Sequence, residues 1–148
     1  MIQQVVLDTN VCLDLFVFKD PRWSEINKRL ESGDIIAKTR KDCREEWLVV
    51  LNYTHLPITD ESRPEAIHLF DQHIACEEFA TRPQLLPICT DKDDQKFLEL
   101  TRDSGSAVLI TKDKALLKLG KKTKLRNGFS IETPEKFIQN LQNASIVK

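Results

Sequence analysis

Acidic side chains recur in this sequence at places where they can do chemistry: Asp8, Glu46, the run Asp91, Asp93 and Asp94, and Asp113. Asp8 directly follows the β-branched run Val5-Val6-Leu7, and Asp113 comes just after Ala107-Val108-Leu109-Ile110. In an open parallel sheet the loops leaving the carboxyl ends of strands converge on one edge. A single acid after a strand is ordinarily a helix cap or turn residue, but two such acids at two strand ends form a pattern. Glu46 stands on an apolar helix with Cys43, Val49 and Val50 three or four residues away. An acid on that side is costly unless paired, hydrogen-bonded or bound to a cation. Glu45 faces Lys41 and Asp42 instead. Helix-dipole and capping effects account for one of the three aspartates at 91–94, not for all of them. Both Asp93 and Asp94 border the apolar face of the next helix, and spacing alone does not choose between them.

Acids gathered on one edge repel one another and raise each other's pKa values, a conflict that a divalent cation removes. A ligand set of oxygen alone, without thiolate or imidazole, favours Mg2+ or Mn2+ over zinc. Such an ion supports hydrolysis of a phosphodiester without any nucleophilic side chain. The stretch from Lys112 to Arg126 begins at the same place. Its Lys112, Lys121, Lys122, Lys124 and Arg126 are candidate RNA phosphate contacts, and a solvated helix end explains them equally well. His55, His68 and His73 are expected on helices as surface or packing residues, and Trp23 and Trp47 sit at core spacing.

The elements that must position these acids alternate between strand and helix. Strands are expected at Val5–Leu7, Asp34–Ala37, Ala107–Ile110 and Phe129–Ile131. Helices are expected at about Val11–Phe18, from Pro21 to Gly33, and at Asp42–Tyr53, Pro64–Phe79, Asp93–Asp103 and Lys114–Leu119. Thr133-Pro134 caps a terminal helix. The alternation implies βαβ units and a parallel sheet covered on both faces. No repeat or linker divides the chain. Residues 1–143 are expected to form one domain, and 144–148 a disordered tail.

The chain has 148 residues, 41% hydrophobic and 30% charged, enough for one ordinary core. A net charge of −1 offers no overall basic field, so a nucleic-acid partner would need locally concentrated positive charge. The four cysteines have no spacing suited to zinc, and the first residues do not read as a signal peptide. Nothing reaches transmembrane length. A reducing cytoplasm with free thiols and no membrane association is expected.

Val5-Val6-Leu7-Asp8-Thr9-Asn10-Val11 resembles the opening strand and Asp-Thr-Asn signature of PIN domains. Residues Cys43 to Leu51 resemble their helix bearing the second acid. Asp91-Lys92-Asp93-Asp94-Gln95-Lys96-Phe97-Leu98 resembles the Asp-x-Asp-Asp-x-x-Phe-Leu motif of a bacterial subgroup described as toxins of toxin–antitoxin pairs. Leu109 to Leu117 resembles the strand and Thr/Ser-x-Asp that follow. The resemblance spans nearly the whole chain in the right order. It implies a three-layer α/β/α sandwich around a short parallel sheet, and a metal-dependent endoribonuclease. Asp8, Glu46, Asp94 and Asp113 are then the Mg2+ or Mn2+ ligands and the catalytic acids, supported by hydrogen bonds from Asn10 and Thr111. RNA is the implied substrate and an antitoxin the implied partner; a homodimer is a further expectation. Two departures are Thr101, where a small Ala is usual, and Lys112 and Lys114, either of which is placed to pair with a carboxylate and weaken metal binding.

Other classes fit less well. A haloacid dehalogenase-type phosphatase also opens with a strand ending in Asp, but needs a second acid at position 10, which is Asn10. A receiver domain needs adjacent acids at the first strand end. A catalytically inactive RNA- or protein-binding module is the non-enzymatic alternative, disfavoured by an intact set of acids.

Overall fold

Val5, Val6 and Leu7 are buried, and they end the strand β1 (Gln3–Leu7) at the centre of the sheet. The computed structural model describes residues 3–146. After β1 come α1 (Thr9–Phe16), a 3-10 turn at Pro21–Trp23, and α2 (Ser24–Ser32). Gly33 closes α2 at φ +86°, a left-handed conformation that glycine adopts without a Cβ penalty. Then follow β2 (Ile35–Thr39), α3 (Lys41–Val50), α4 (Arg63–His73) and β3 (Ile74–Cys76). A long irregular stretch leads to a 3-10 turn at Lys92–Asp94, α5 (Gln95–Ser104) and β4 (Val108–Ile110). The chain ends with α6 (Lys114–Leu117), α7 (Gly120–Asn127), β5 (Ser130–Glu132) and α8 (Pro134–Ile146).

All four strand pairings are parallel, in the order β3-β2-β1-β4-β5. Alternate side chains of each strand point to opposite faces, and the core divides accordingly. Val5, Leu7, Val108 and Ile110 pack with Phe16, Trp23, Trp47, Phe70 and Phe137 on one face. Val6 and Leu109 pack with Phe97, Leu98, Leu116 and Phe129 on the other. This is a three-layer α/β/α sandwich. The direction of strand order reverses between β1 and β4, so the crevice outside their carboxyl ends is the place for a site. Helix α3 serves both cores, Trp47 entering the first and Cys43 the second.

The structure departs from the sequence reading at several points. The helix expected over Pro64–Phe79 stops at His73, and Ile74–Cys76 pairs with Ala37–Thr39 as an edge strand. That strand exists through its pairing with β2 and carries no alternating pattern of its own. Helix α1 begins two residues early because Asp8 caps it, accepting from the Thr9 N–H at 2.7 Å. Helix α3 ends at Val50 instead of Tyr53, so Tyr53 and His55 lie in a loop. The basic segment 120–127 is itself a helix. Thr133 does cap α8, accepting from the Lys136 N–H at 3.1 Å. Helix α8 continues through residue 146; the rest of the expected tail, 147 and 148, lies outside the described residues. Cys12, Cys43, Cys76 and Cys89 are free thiols, the first two and the last buried.

Candidate metal centre

Asp8 leaves β1 at the switch point and is 3% exposed. Its Oδ2 accepts from the Thr111 hydroxyl at 2.6 Å, while the Asp8 N–H donates to the Ile110 carbonyl at 3.0 Å, extending the β1–β4 pairing to the site. Burial raises its carboxyl to about 6; the hydrogen bonds from Thr111 and Thr9 oppose this, and the charges of Glu46 and Asp113 add to it.

Thr111 joins two acids. Besides donating to Asp8, its oxygen accepts from the Asp113 N–H at 3.0 Å. Asp113 in turn caps α6, its Oδ1 accepting from the N–H groups of Ala115 at 2.7 Å and Leu116 at 3.3 Å. One threonine at the end of β4 therefore sets the spacing between the carboxylates of β1 and α6.

Asp94 closes the 3-10 turn before α5. Asp91, Asp94 and Asp113 each offer a carboxylate oxygen within 4.8 Å of the others, close enough to share one cation. Asp94 Oδ2 is buried and, among the described residues, has no hydrogen-bond partner. Burial is the main cause of its carboxyl being raised to about 7, followed by contact with Asp113 and the charges of Asp8, Asp113 and Asp91. Between Asp93 and Asp94, the second points into the cluster and the first is exposed. The cap of this turn is Asp91, which accepts from the Asp93 N–H at 2.9 Å. Asp91 belongs to the acidic run at 91–94, and the turn geometry is what brings it beside Asp94 and Asp113.

Glu46 reaches the site from α3. The Thr9 hydroxyl donates to its Oε2, and Lys96 Nζ lies 2.7 Å from its Oε1. Lys96 also donates to the Asp93 carbonyl at 2.6 Å. Glu45 is exposed, 4.0 Å from Lys41. Val49, expected beside Glu46 on the inward side, is 57% exposed; Cys43 and Trp47 mark the buried face. Asn10 is exposed, and among the described residues no hydrogen bond joins it to the acids; Thr9 makes that contact.

The cations distribute differently from the sequence expectation. Lys112 pairs with Asp14 Oδ2 at 2.6 Å, outside the four acids. Lys96 is the lysine that meets one of them, a contact between helices that no local pattern announces. Lys121, Lys122, Lys124 and Arg126 are exposed on α7, which packs on the edge strand β5.

The PIN domain family matches residues 4–115 of this chain, a span that holds Asp8, Glu46, Asp91, Asp94 and Asp113 but not the basic helix. No curated relative matches the sequence. Among solved structures, the fold is similar to a chain in a crystal structure of VapBC2 from Rickettsia felis bound to a DNA fragment from their promoter. That similarity has a TM-score of 0.59 at 15% identity and covers 88% of this chain and 98% of the other. With three quarters of its length matched and the acids at the ends of β1 and β4, the chain belongs to the PIN domain family.

Proposed function

We propose that this protein is a Mg2+- or Mn2+-dependent ribonuclease that hydrolyses phosphodiester bonds of RNA, and that it is the toxin of a toxin–antitoxin pair. The observation that carries the reading is the convergence of Asp91, Asp94 and Asp113 beside Asp8, with a buried Asp94 oxygen that has no hydrogen-bond partner among the described residues. An all-oxygen set with two raised carboxyls suits a hard divalent cation, which supplies the charge the acids lack. Asp8, Glu46, Asp94 and Asp113 would hold it, joined by Asp91, whose carboxylate lies beside those of Asp94 and Asp113. Such a cation, when bound, stabilises charge on phosphoryl oxygens and lowers the pKa of water toward neutrality.

The chain's own residues prepare the site. Thr9 and Thr111 fix the Asp8 carboxylate, so its lone pairs are aimed before substrate arrives. Thr111 ties Asp113 to the same frame, and α6 holds that carboxylate through two backbone donors. Lys96 offsets the charge of Glu46.

The toxin role and the antitoxin partner rest on the family resemblance and on likeness of fold to the VapBC2 structure, which is an analogy. A cytoplasmic setting accords with four free cysteines, and among the described residues no helix is long and apolar enough to cross a membrane.

The purified chain is expected to cut single-stranded RNA with Mg2+ or Mn2+, and to stop in excess chelator or as Asp8→Asn of unchanged helical content. Cleavage that persists in chelator or in that variant would show the carboxylate mechanism to be wrong. For the toxin role, expression of the active chain is expected to arrest growth unless an antitoxin is present. Harmless expression of active enzyme would count against it.

A further inference from the structure

Beside the acid cluster lies a groove of about 300 Å³ that the carboxylates do not account for. Its lining includes Asn10, two residues past Asp8, and Lys112, between Thr111 and Asp113. It also includes Val50, one turn beyond Glu46 on α3, together with Tyr53, His55 and Phe18. The groove is thus built from residues adjoining three of the proposed site acids, Asp8, Glu46 and Asp113.

Its aromatic side chains differ from those of the core. Phe16, Trp47 and Phe70 pack against one another in the interior, whereas Phe18 is 49% and Tyr53 47% exposed. The Tyr53 and His55 rings lie 5.7 Å apart, tilted by 32°. Single exposed apolar residues are common, but three rings at one groove beside a charged site are not explained by packing. Lys112 is held in position: Asp14 Oδ2 takes one of its three donors at 2.6 Å and is itself fixed by the Trp23 indole N–H at 3.1 Å. The Lys112 side chain remains 40% exposed.

We infer that this groove receives an unpaired nucleobase of single-stranded RNA next to the scissile phosphate. The inference rests on the ribonuclease reading above and adds the subsite that would hold a base of its substrate. The base stacks on Tyr53, the Asn10 amide offers both a donor and an acceptor to the base edge, and Lys112 meets an adjacent phosphate. Asp14 lines the same groove and offsets the lysine's charge, so Lys112 acts as a fixed donor to one phosphate and not as a broad basic field. A paired base cannot enter, because in a duplex both its faces are already stacked.

The test is fluorescence anisotropy with one labelled RNA, as a single strand and as a duplex, in Mg2+. Asp8→Asn protein is the parent, so that binding is read without turnover; the unaltered chain is assayed for cleavage alongside. Tyr53→Ala is expected to weaken single-strand binding by about tenfold, with Tyr53→Phe close to the parent because the stacking face remains. Duplex binding is expected to be weaker and indifferent to both changes. Tyr53 is in a loop and half-exposed, and equal melting temperatures confirm that each variant folds. If the unaltered chain cuts RNA while Tyr53→Ala binds single strands as well as the parent does, the groove inference is overturned and the nuclease reading stands. If the unaltered chain neither binds nor cuts RNA, both are overturned.

Discussion

Lys96 Nζ lies 2.7 Å from Glu46 Oε1, joining α5 to α3 within the acid cluster. The ammonium does part of what a cation does there: it neutralises one carboxylate before any ion binds. The contact also raises the Lys96 pKa, burial working against it and the Glu46 hydrogen bond and charge outweighing that. Lys96→Gln leaves Glu46 uncompensated and free to ligate. Mn2+ affinity measured by calorimetry is expected to rise about tenfold through the lost repulsion, and the metal-free melting temperature to fall. Unchanged affinity would mean that Lys96 and the ion do not sense each other.

Metal-free stability is expected to fall as pH rises from 5 to 8. Asp8 and Asp94 are raised in the folded chain to about 6 and about 7 from an ordinary 3.8. Between those limits the folded state holds protons that the unfolded state has released, so unfolding becomes easier with increasing pH. This contribution is complete below about 3.8 and is lost as pH passes through 6 to 7. Thermal melts in chelator would follow it. Asp94→Asn is expected to flatten the slope, and excess Mg2+ to reverse it by favouring the ionised carboxylates. A melting temperature that rises over this range in chelator, with Asp94→Asn no different, would contradict the assignment.

Neighbouring acids are expected to separate cleanly. Glu46→Gln and Asp94→Asn lose most turnover, while Glu45→Gln, exposed beside Lys41, is nearly silent. Asp91→Asn keeps the acceptor that caps the Asp93 N–H but removes a charge from the three-aspartate cluster. It should therefore melt normally and bind Mn2+ more weakly, whereas Asp91→Ala also loses about 1 kcal/mol of cap. Asp93→Asn is expected to be mild in both assays. A dead Glu45→Gln beside an active Glu46→Gln would reverse the assignment on α3.

The exposed lysines of α7 are tested by salt. Replacing Lys121, Lys122 and Lys124 together by Gln is expected to weaken RNA binding and to flatten its dependence on salt, since each phosphate contact releases counterions. An unchanged slope would leave those residues as a solvated face.

What the sequence determined by itself is local. The β-branched runs of β1 and β4, the apolar periodicity of α3 and α5, and the glycines that end α2 and α5 depend on neighbours within a turn or two. They sufficed to imply a parallel sheet and to put Asp8 and Asp113 at the ends of strands that a βαβ layout brings together. The tertiary structure alone decided the rest. Strand β3 exists because Ile74–Cys76 meets β2, and its short run reads locally as the end of a helix. Of the three aspartates at 91–94, Asp91 is the one that caps, because the turn at 92–94 is 3-10 and its side chain accepts from the Asp93 N–H. Thr9 rather than Asn10 meets Glu46 through the direction in which the first turn of α1 leaves β1. Lys96 and Glu46 are 50 residues apart, and nothing in either segment refers to the other. An ion pair between two helices depends on how those helices pack, and packing is settled by the whole core at once.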